Sequence, residues 1–200
     1  MTTIDYYLAP TSPYVFLGHA RFWDIARKAG ATIRLLPVDL GGKVFPVSGG
    51  LPVNKRAPQR QAYRLLELQR WGEFLDMPIK PEPAYFPVNG DDAAKLIIAV
   101  DLLDGLDAAM TLTGAITRAV WAEDRNIADE AVLASILAAH ELPARRIDDS
   151  QTQRVQERYE TDSQLDIEAG VFGAQSYVID GELFWGQDRL DFVERRLARR

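Results

Sequence analysis

The chain has no cysteine among its 200 residues. Without a thiol of its own, the protein forms no disulfide bond, holds no thiolate-bound metal and performs no thiol redox reaction by itself. Histidine is almost as scarce, because only His19 and His140 are present. A histidine-rich site is therefore not expected either, and we predict that the protein binds no metal.

Long apolar runs and an excess of positive charge are also lacking. No run approaches the roughly 20 apolar residues that a helix needs to cross a bilayer. The first residues lack the basic segment and apolar stretch of a signal peptide, so a soluble, cytoplasmic protein is expected. The net charge of −6 argues against nucleic acid or an anionic membrane surface as the main partner. We therefore expect a small-molecule ligand.

The most informative stretch is Ala9-Pro10-Thr11-Ser12-Pro13-Tyr14. It joins an apolar run over residues 4–8, which predicts a strand, to a helical pattern over residues 13–29. Ser12 stands where a helix N-cap belongs, and Pro13 occupies the first helical position, where a missing N–H does no harm. The pattern places a hydroxyl at the positive end of a helix, which suits an anion such as a thiolate. In a simpler interpretation, Ser12 is only an N-cap.

The rest of the chain indicates a small α/β domain interrupted by helices. A second strand over residues 32–38 completes a βαβ unit with parallel strands. The end of the chain predicts a hairpin over residues 175–185, turning at Asp180-Gly181, and then a last helix. Between these parts the pattern is helical over residues 57–76, 91–103, 106–123, 129–140 and 150–168, the last of these being polar and expected on the outside. A helical insertion in one α/β domain explains this order.

A long loop over residues 39–54 follows the second strand. Its glycines and prolines exclude a regular element, and such a loop in a compact domain is usually functional. Lys43, Lys55 and Arg56 bring positive charge, and the amide of Asn54 both donates and accepts hydrogen bonds. A solvated turn is the alternative interpretation. Tyr85 follows in a proline-rich extended segment, where it lines an apolar pocket or fills the core.

Taken in order, these motifs resemble the 2-hydroxychromene-2-carboxylate isomerases and their relatives, the kappa-class glutathione transferases. Matching motifs are Ser12-Pro13-Tyr14, Asn54-Lys55, Gly170-Val171-Phe172-Gly173 and the run of residues 180–190. The resemblance covers essentially the whole chain. It implies an α/β, thioredoxin-like fold (βαβ…ββα) with a large all-helical insertion. Residues 1–56 and 169–200 would form the thioredoxin-like domain, and residues 57–168 the inserted helical domain.

The resemblance also implies a glutathione site over the start of the first helix. Ser12 would be the catalytic residue, whose hydroxyl donates a hydrogen bond to the glutathione sulfur and favours its thiolate. The other implied glutathione contacts are the backbone of Ala174 and Gln175 for the tripeptide main chain, and Gly186, Gln187 and Asp188 for the γ-glutamyl end. An aromatic carboxylate substrate would face Lys43, Asn54, Lys55 and Tyr85, and the positive side chains among them suit its charge.

Gln175 departs from the family pattern, which has a proline preceded by a cis peptide at this position. The Ala174–Gln175 peptide is then either cis, or trans with a reshaped site. The expected function is glutathione-dependent isomerisation of hydroxychromene-carboxylate-type aromatic catabolites by a homodimer, with glutathione regenerated as a cofactor. Two alternatives remain open. One is a kappa-class-like transferase that conjugates electrophiles, and the other is a non-catalytic binding protein on a thioredoxin scaffold.

Overall fold

The computed structural model describes residues 2–199. Four strands form one mixed sheet in the order β2-β1-β3-β4. β1 (Thr3–Leu8) pairs in parallel with β2 (Thr32–Pro37) and antiparallel with β3 (Ser176–Ile179), which pairs antiparallel with β4 (Glu182–Trp185). The predicted βαβ unit and the predicted hairpin are both confirmed.

Nine helices pack around the sheet within the described residues. α1 (Pro13–Lys28) joins β1 to β2, and α9 (Leu190–Ala198) follows the hairpin. The others lie between β2 and β3 in chain order: α2 (Phe45–Ser48), α3 (Pro58–Leu75), α4 (Asp91–Asp104), α5 (Leu106–Trp121), α6 (Glu130–Ala139), α7 (Arg146–Ser150) and α8 (Gln153–Glu168). None of the helices described is long and apolar enough to cross a membrane. The division of the chain into two domains remains a prediction.

One apolar core joins the sheet to α1. The rings of Tyr6 and Tyr177 stack with centroids 5.4 Å apart, and the ring of Phe22 lies 4.5 Å from each. Leu96 of α4 and Ile116 of α5 belong to the same buried cluster. Each large apolar side chain buried in this way stabilises the fold by about 1.5–3 kcal/mol. The core therefore holds the start of α1 at the carboxyl end of β1.

The hairpin turn follows directly from its two residues. Asp180 has a φ of 50° and Gly181 a φ of 80°. Two consecutive residues with positive φ are typical of a type I′ turn, whose twist matches that of the strands it joins. The turn thus sets β4 at the edge of the sheet.

The prediction of an irregular loop over residues 39–54 is wrong. A π-helical turn, Leu40–Val44, leads into α2, and Val53–Lys55 form a 3-10 turn. The side chain of Asp39 accepts a hydrogen bond from the N–H of Gly42 at 2.7 Å. This cap stabilises a helical turn in a segment whose glycine and proline content argues against one.

The expected outside position of the last helix before the hairpin is also wrong. α8 packs on β2 and buries Val155, Tyr159, Asp162, Ser163 and Asp166. Leu165 and Ala169 contact a second buried cluster that contains Tyr7 and Leu36. Because strand side chains alternate between faces, Tyr7 points away from the α1 side, and α8 covers that second face. The low hydropathy of α8 conceals this role, because polar residues occupy part of its buried side.

Candidate active site

Ser12 lies in the turn between β1 and α1. Its backbone N–H donates to the carbonyl of Ala9 at 2.9 Å, and its φ of −79° and ψ of 126° are extended, as is typical of an N-cap. Its Oγ accepts a hydrogen bond from the N–H of Val15 at 3.4 Å. Ser12 therefore caps α1, and its hydroxyl lies at the positive end of the helix, where an anion is favoured.

The loop before β3 approaches this turn from the far end of the chain. The Oγ of Ser12 donates a hydrogen bond to the carbonyl oxygen of Ala174 at 3.2 Å. The Ala174–Gln175 peptide is cis, which is one of the two conformations that the sequence leaves open. Only 8% of Ser12 is exposed. The structure thus brings Ser12 and Ala174 into direct contact, while the catalytic role of Ser12 remains a prediction.

Gln175 is fully buried, and its side chain is engaged within the protein. Its Nε2 donates to the backbone carbonyl of Tyr14 at 2.7 Å, and its Oε1 accepts from the hydroxyl of Tyr6 at 3.3 Å. Gly18 of α1 makes room for it, since a Cβ there would lie 1.9 Å from the Nε2 of Gln175. The carbonyl of Gln175 accepts from the N–H of Gly186 at 2.9 Å. Gln175 therefore ties the loop before β3 to the first turn of α1, and its contact with a tripeptide remains a prediction.

A buried polar chain continues from Gln175 into the core. The hydroxyl of Tyr6 also lies 3.1 Å from Nδ1 of His19, whose Nε2 lies 2.8 Å from the carbonyl of Met110. Burial lowers the pKa of His19 to about 4, so the ring is neutral at pH 7. Its Nε2 then donates to Met110 and its Nδ1 is an acceptor, so the hydroxyl of Tyr6 shares its single proton between Nδ1 of His19 and Oε1 of Gln175. His19 is therefore a packed residue of the core.

The residues before α9 pack against α1. Gln187 is buried, and its Oε1 accepts a hydrogen bond from Nη1 of Arg21 at 2.8 Å. Asp188 is 42% exposed. The pKa of Tyr14 is raised mainly by burial, and the charge of Asp188 adds to this effect. Asp188 thus holds a partly exposed carboxylate near the first turn of α1, and its Oδ2 accepts a hydrogen bond from Nη1 of Arg189 at 2.6 Å. The roles predicted for Gly186, Gln187 and Asp188 toward glutathione are untested.

The predicted substrate residues reach into solvent. Lys43, Asn54 and Lys55 are exposed, and Tyr85 is 48% exposed. In the described part of the chain, the hydroxyl of Ser12 bonds to Ala174 and Val15 and not to any of these four side chains. The structure therefore does not join them to Ser12, and their contact with substrate remains a prediction.

Arg64 belongs to the surroundings of this site, although none of the motifs predicts it. α3 buries Arg64, Leu68 and Gly72, which are spaced four residues apart and so share one face. The guanidinium of Arg64 lies 5.0 Å from the ring centroid of Phe86 and 5.4 Å from that of Trp121. No signal in the sequence marks Arg64, because its burial depends on contacts with the distant Phe86 and Trp121.

Two surface depressions lie elsewhere on the molecule. Their volumes are about 40 and 630 Å³, and neither is lined by Arg64, by Ser12 or by any other predicted site residue. Within residues 2–199, no group of three or more His, Asp or Glu side chains is arranged to hold a metal ion.

The opposite face of the sheet carries a separate buried acidic pair on α8. Nε of Arg158 donates to Oδ1 of Asp162 at 2.7 Å, whereas both carboxylate oxygens of Asp166 are buried without a hydrogen-bond partner. Burial raises the pKa of Asp162 to about 6 and that of Asp166 to about 7. This pair lies beneath α8 and not at the Ser12 turn, so its influence is on stability.

The sheet order, the cap at Ser12 and the loop before β3 define a thioredoxin-type domain in which serine, not cysteine, begins the first helix. The DSBA-like thioredoxin domain family matches residues 3–198, and the chain belongs to this family. A solved structure of a 2-hydroxychromene-2-carboxylate isomerase is similar with a TM-score of 0.82, at 24% identity, over 98% of this chain and 95% of that chain. The predicted thioredoxin-like fold with its helical insertion is thus confirmed.

Curated relatives place the similarity more narrowly within this family. The 2-hydroxychromene-2-carboxylate isomerase of Sphingobium xenophagum is 26% identical over 196 residues, which cover 98% of this chain and 97% of the relative. Glutathione S-transferase kappa 1 of Caenorhabditis elegans is 32% identical over 83 residues, which cover 41% of this chain and 36% of the relative. The resemblance to the isomerases that the motifs indicate is therefore confirmed.

Proposed function

We propose that the protein is a glutathione-dependent isomerase of 2-hydroxychromene-2-carboxylate-type compounds from the breakdown of aromatic molecules. One observation carries the proposal. Ser12 places a nearly buried hydroxyl at the positive end of α1, 3.2 Å from the carbonyl of Ala174. Disulfide oxidoreductases of this fold need a cysteine pair, which this chain lacks. A serine cannot exchange disulfides, but it can donate a hydrogen bond to the sulfur of a bound thiol. The full-length isomerase relatives support this choice.

The residues around Ser12 fit glutathione. Its sulfur would meet the hydroxyl of Ser12 and the free N–H groups at the start of α1, which favour an anion. Its ammonium group would meet Asp188, whose carboxylate is 42% exposed, and its main chain would meet the backbone of Ala174 and Gln175. When bound, glutathione supplies a thiolate, a good nucleophile and leaving group near neutral pH.

The chain's own residues then have three tasks in the isomerisation. The hydroxyl of Ser12 turns from Ala174 toward the sulfur and holds its negative charge. The positive side chains of Lys43 and Lys55 attract the carboxylate substrate from solvent. Asn54 and Tyr85 lie on the solvent side, where they would contact the substrate's polar groups and ring.

Glutathione titration of wild type, Ser12→Ala and Asp129→Ala tests the proposal. Asp129 is a matched control, because it caps α6 by accepting from the N–H of Ala131 at 2.9 Å and lies outside the site. Each variant should lose about 1 kcal/mol of stability through its lost cap. Wild type and Asp129→Ala should bind glutathione, with a melting temperature that rises with ligand concentration.

The activity of Ser12→Ala separates a catalytic hydroxyl from a plain cap. A hydrogen bond to a charged sulfur contributes roughly 1.5–3 kcal/mol, so kcat/KM should fall about tenfold to hundredfold relative to Asp129→Ala. Equal kcat/KM in the two variants would contradict the proposed role of Ser12. Absence of glutathione binding by wild type at millimolar concentration would contradict the proposed function and favour a binding protein on a thioredoxin scaffold.

A glutathione transferase is the second candidate, and the kappa-class similarity favours it. A transferase forms a thioether and consumes one thiol for each product molecule. An isomerase leaves the total thiol unchanged. Free thiol measured during turnover of a hydroxychromene carboxylate and of a simple electrophile therefore separates the two activities.

The proposed location is cytoplasmic and the proposed assembly is a homodimer. Exposed aromatic residues beside the open end of the hairpin support the dimer proposal. The ring centroids of Phe172 and Trp185 lie 4.9 Å apart, and these residues are 41% and 51% exposed. Light scattering after size exclusion tests the assembly, and a mass of one chain at micromolar concentration would contradict it.

A further inference from the structure

Arg64 is a buried cation without an anionic partner. Only 7% of the residue is exposed, and its Nη2 is buried with no hydrogen-bond partner. Among the described residues, its guanidinium lies over two aromatic rings and forms no ion pair with a carboxylate. Burial lowers the pKa of this guanidinium, although arginine stays charged at any physiological pH. A buried charge is costly unless it is paired. In the part of the chain that the structure describes, the charge of Arg64 has no paired anion to offset that cost.

The surroundings of Arg64 connect it to the Ser12 turn. The guanidinium lies over the rings of Phe86 and Trp121, whose centroids are 4.8 Å apart. Nε1 of Trp121 donates a hydrogen bond to the carbonyl of Thr11 at 3.2 Å, and Thr11 directly precedes Ser12. The same tryptophan therefore contacts both the guanidinium and the turn that begins α1.

The charges acting on Arg64 favour an anion at this position. Tyr14, in the first turn of α1, and Arg56 are the ionisable groups that influence its pKa. Tyr14 is neutral at pH 7, because tyrosine ordinarily titrates far above neutral pH and burial raises its pKa further, and Arg56 adds a second positive charge. The positive end of α1 adds a further favourable potential.

We propose that Arg64 is the carboxylate-recognition residue of the Ser12 site and that it takes flat aromatic carboxylates. A guanidinium with unused N–H groups matches the two oxygens of a carboxylate, and the neighbouring rings suit an apolar body. This inference rests on the proposed function for its substrate, and it assigns the substrate carboxylate to Arg64 in place of the exposed Lys43 and Lys55. In the opposing interpretation, Arg64 only packs on Phe86 and Trp121 and stabilises α3.

Cinnamate and its neutral analogue cinnamamide are suitable probes, because they differ mainly in charge. Calorimetric titration is carried out on wild type, Arg64→Met and Arg60→Met. Arg60 is a matched control, since it lies one turn earlier on α3, is exposed and loses the same charge. Wild type and Arg60→Met should prefer cinnamate by about tenfold to hundredfold, as expected for a charge-assisted pair. Arg64→Met should lose this preference, with little change in cinnamamide affinity.

Two further readouts separate recognition from packing. Arg64→Met retains most of the side-chain volume, so its melting temperature should equal or exceed that of wild type once the unpaired charge is removed. A lowered melting temperature together with an unchanged cinnamate preference would establish the packing role and overturn the proposal. If Arg64→Met does not fold, Arg64→Lys decides the question, because a lysine retains the charge but not the two-point geometry. Its preference should be intermediate, and a preference equal to that of wild type would overturn the proposal.

Glutathione binding distinguishes failure of this inference from failure of the proposed function. Arg64→Met should still bind glutathione, because the proposed contacts for its sulfur, ammonium and main chain are Ser12, Asp188 and the backbone of Ala174 and Gln175. If wild type binds no glutathione but its preference for cinnamate depends on Arg64, the carboxylate site stands and the proposed isomerase does not. If glutathione binds and wild type shows no preference for cinnamate over cinnamamide, Arg64 is not the carboxylate residue.

Discussion

Replacing Gly18 with alanine tests how Gln175 is held against α1. A Cβ at position 18 would lie 1.9 Å from Nε2 and 2.9 Å from Cδ of Gln175, and 2.7 Å from Cβ of Gln187. These separations are too short for non-bonded atoms, so the side chain of Gln175 must move. Its 2.7 Å hydrogen bond to the carbonyl of Tyr14 is then lost.

The expected change in the free energy of unfolding combines two destabilising contributions and one stabilising contribution. Overpacking of a dense interior costs about 1–3 kcal/mol, and loss of the buried hydrogen bond costs about 1 kcal/mol. The better helix propensity of alanine offsets about 1 kcal/mol. Gly18→Ala should therefore lower the free energy of unfolding by about 1–3 kcal/mol. For a chain of 200 residues, the melting temperature should fall by roughly 2 to 12 °C.

Urea unfolding at pH 7 measures this change, and two further variants sharpen it. Gly41→Ala is the control, because a Cβ at Gly41 meets nothing within 4 Å, and its effect should stay within about 0.5 kcal/mol. Gln175→Ala removes the obstructing amide, so the double variant with Gly18→Ala should be more stable than the two single losses predict, by about 1 kcal/mol. Additive losses, or a Gly18→Ala variant as stable as wild type, would refute the reasoning.

Two other perturbations test the buried charges. Burial raises the pKa of Asp166 from 3.8 to about 7, so the folded state keeps a proton that the unfolded state releases, and stability falls as pH rises through this window. Asp166→Asn should therefore be more stable than wild type by about 1–3 kcal/mol at pH 8. Urea unfolding should show this advantage disappearing toward pH 4. A difference that does not depend on pH, or the same behaviour in the exposed control Glu160→Gln, would contradict the raised pKa of Asp166. Arg146→Met should destabilise by about 1–3 kcal/mol, because Nε and Nη2 of the buried Arg146 donate to the more exposed Asp104 at 2.6 and 2.7 Å. Thermal unfolding measures the loss, and an equal loss in the exposed neighbour variant Arg145→Met would show that burial of the pair is not its cause.

The sequence by itself determines the features that depend on neighbouring residues. Ser12 and Pro13 predict where α1 begins, and the structure begins it there. Asp180 and Gly181 predict the hairpin turn, and both have positive φ. These signals are reliable because capping, proline geometry and positive φ act within a few residues of backbone. The ordered motifs also indicate the family, since they recur at fixed places along the whole chain.

Only the tertiary structure decides which distant side chains meet. Gln175 bonds to Tyr14 across 161 residues of sequence, and the space it occupies exists because residue 18 is glycine. Arg64 stands in a stripe that looks ordinary until Phe86 and Trp121 close over it, and Asp166 becomes a buried acid only because α8 covers the sheet. Local patterns reveal which face of a helix is apolar, but packing between elements decides what that face contacts. Partners, burial and pKa shifts therefore arise from the fold as a whole.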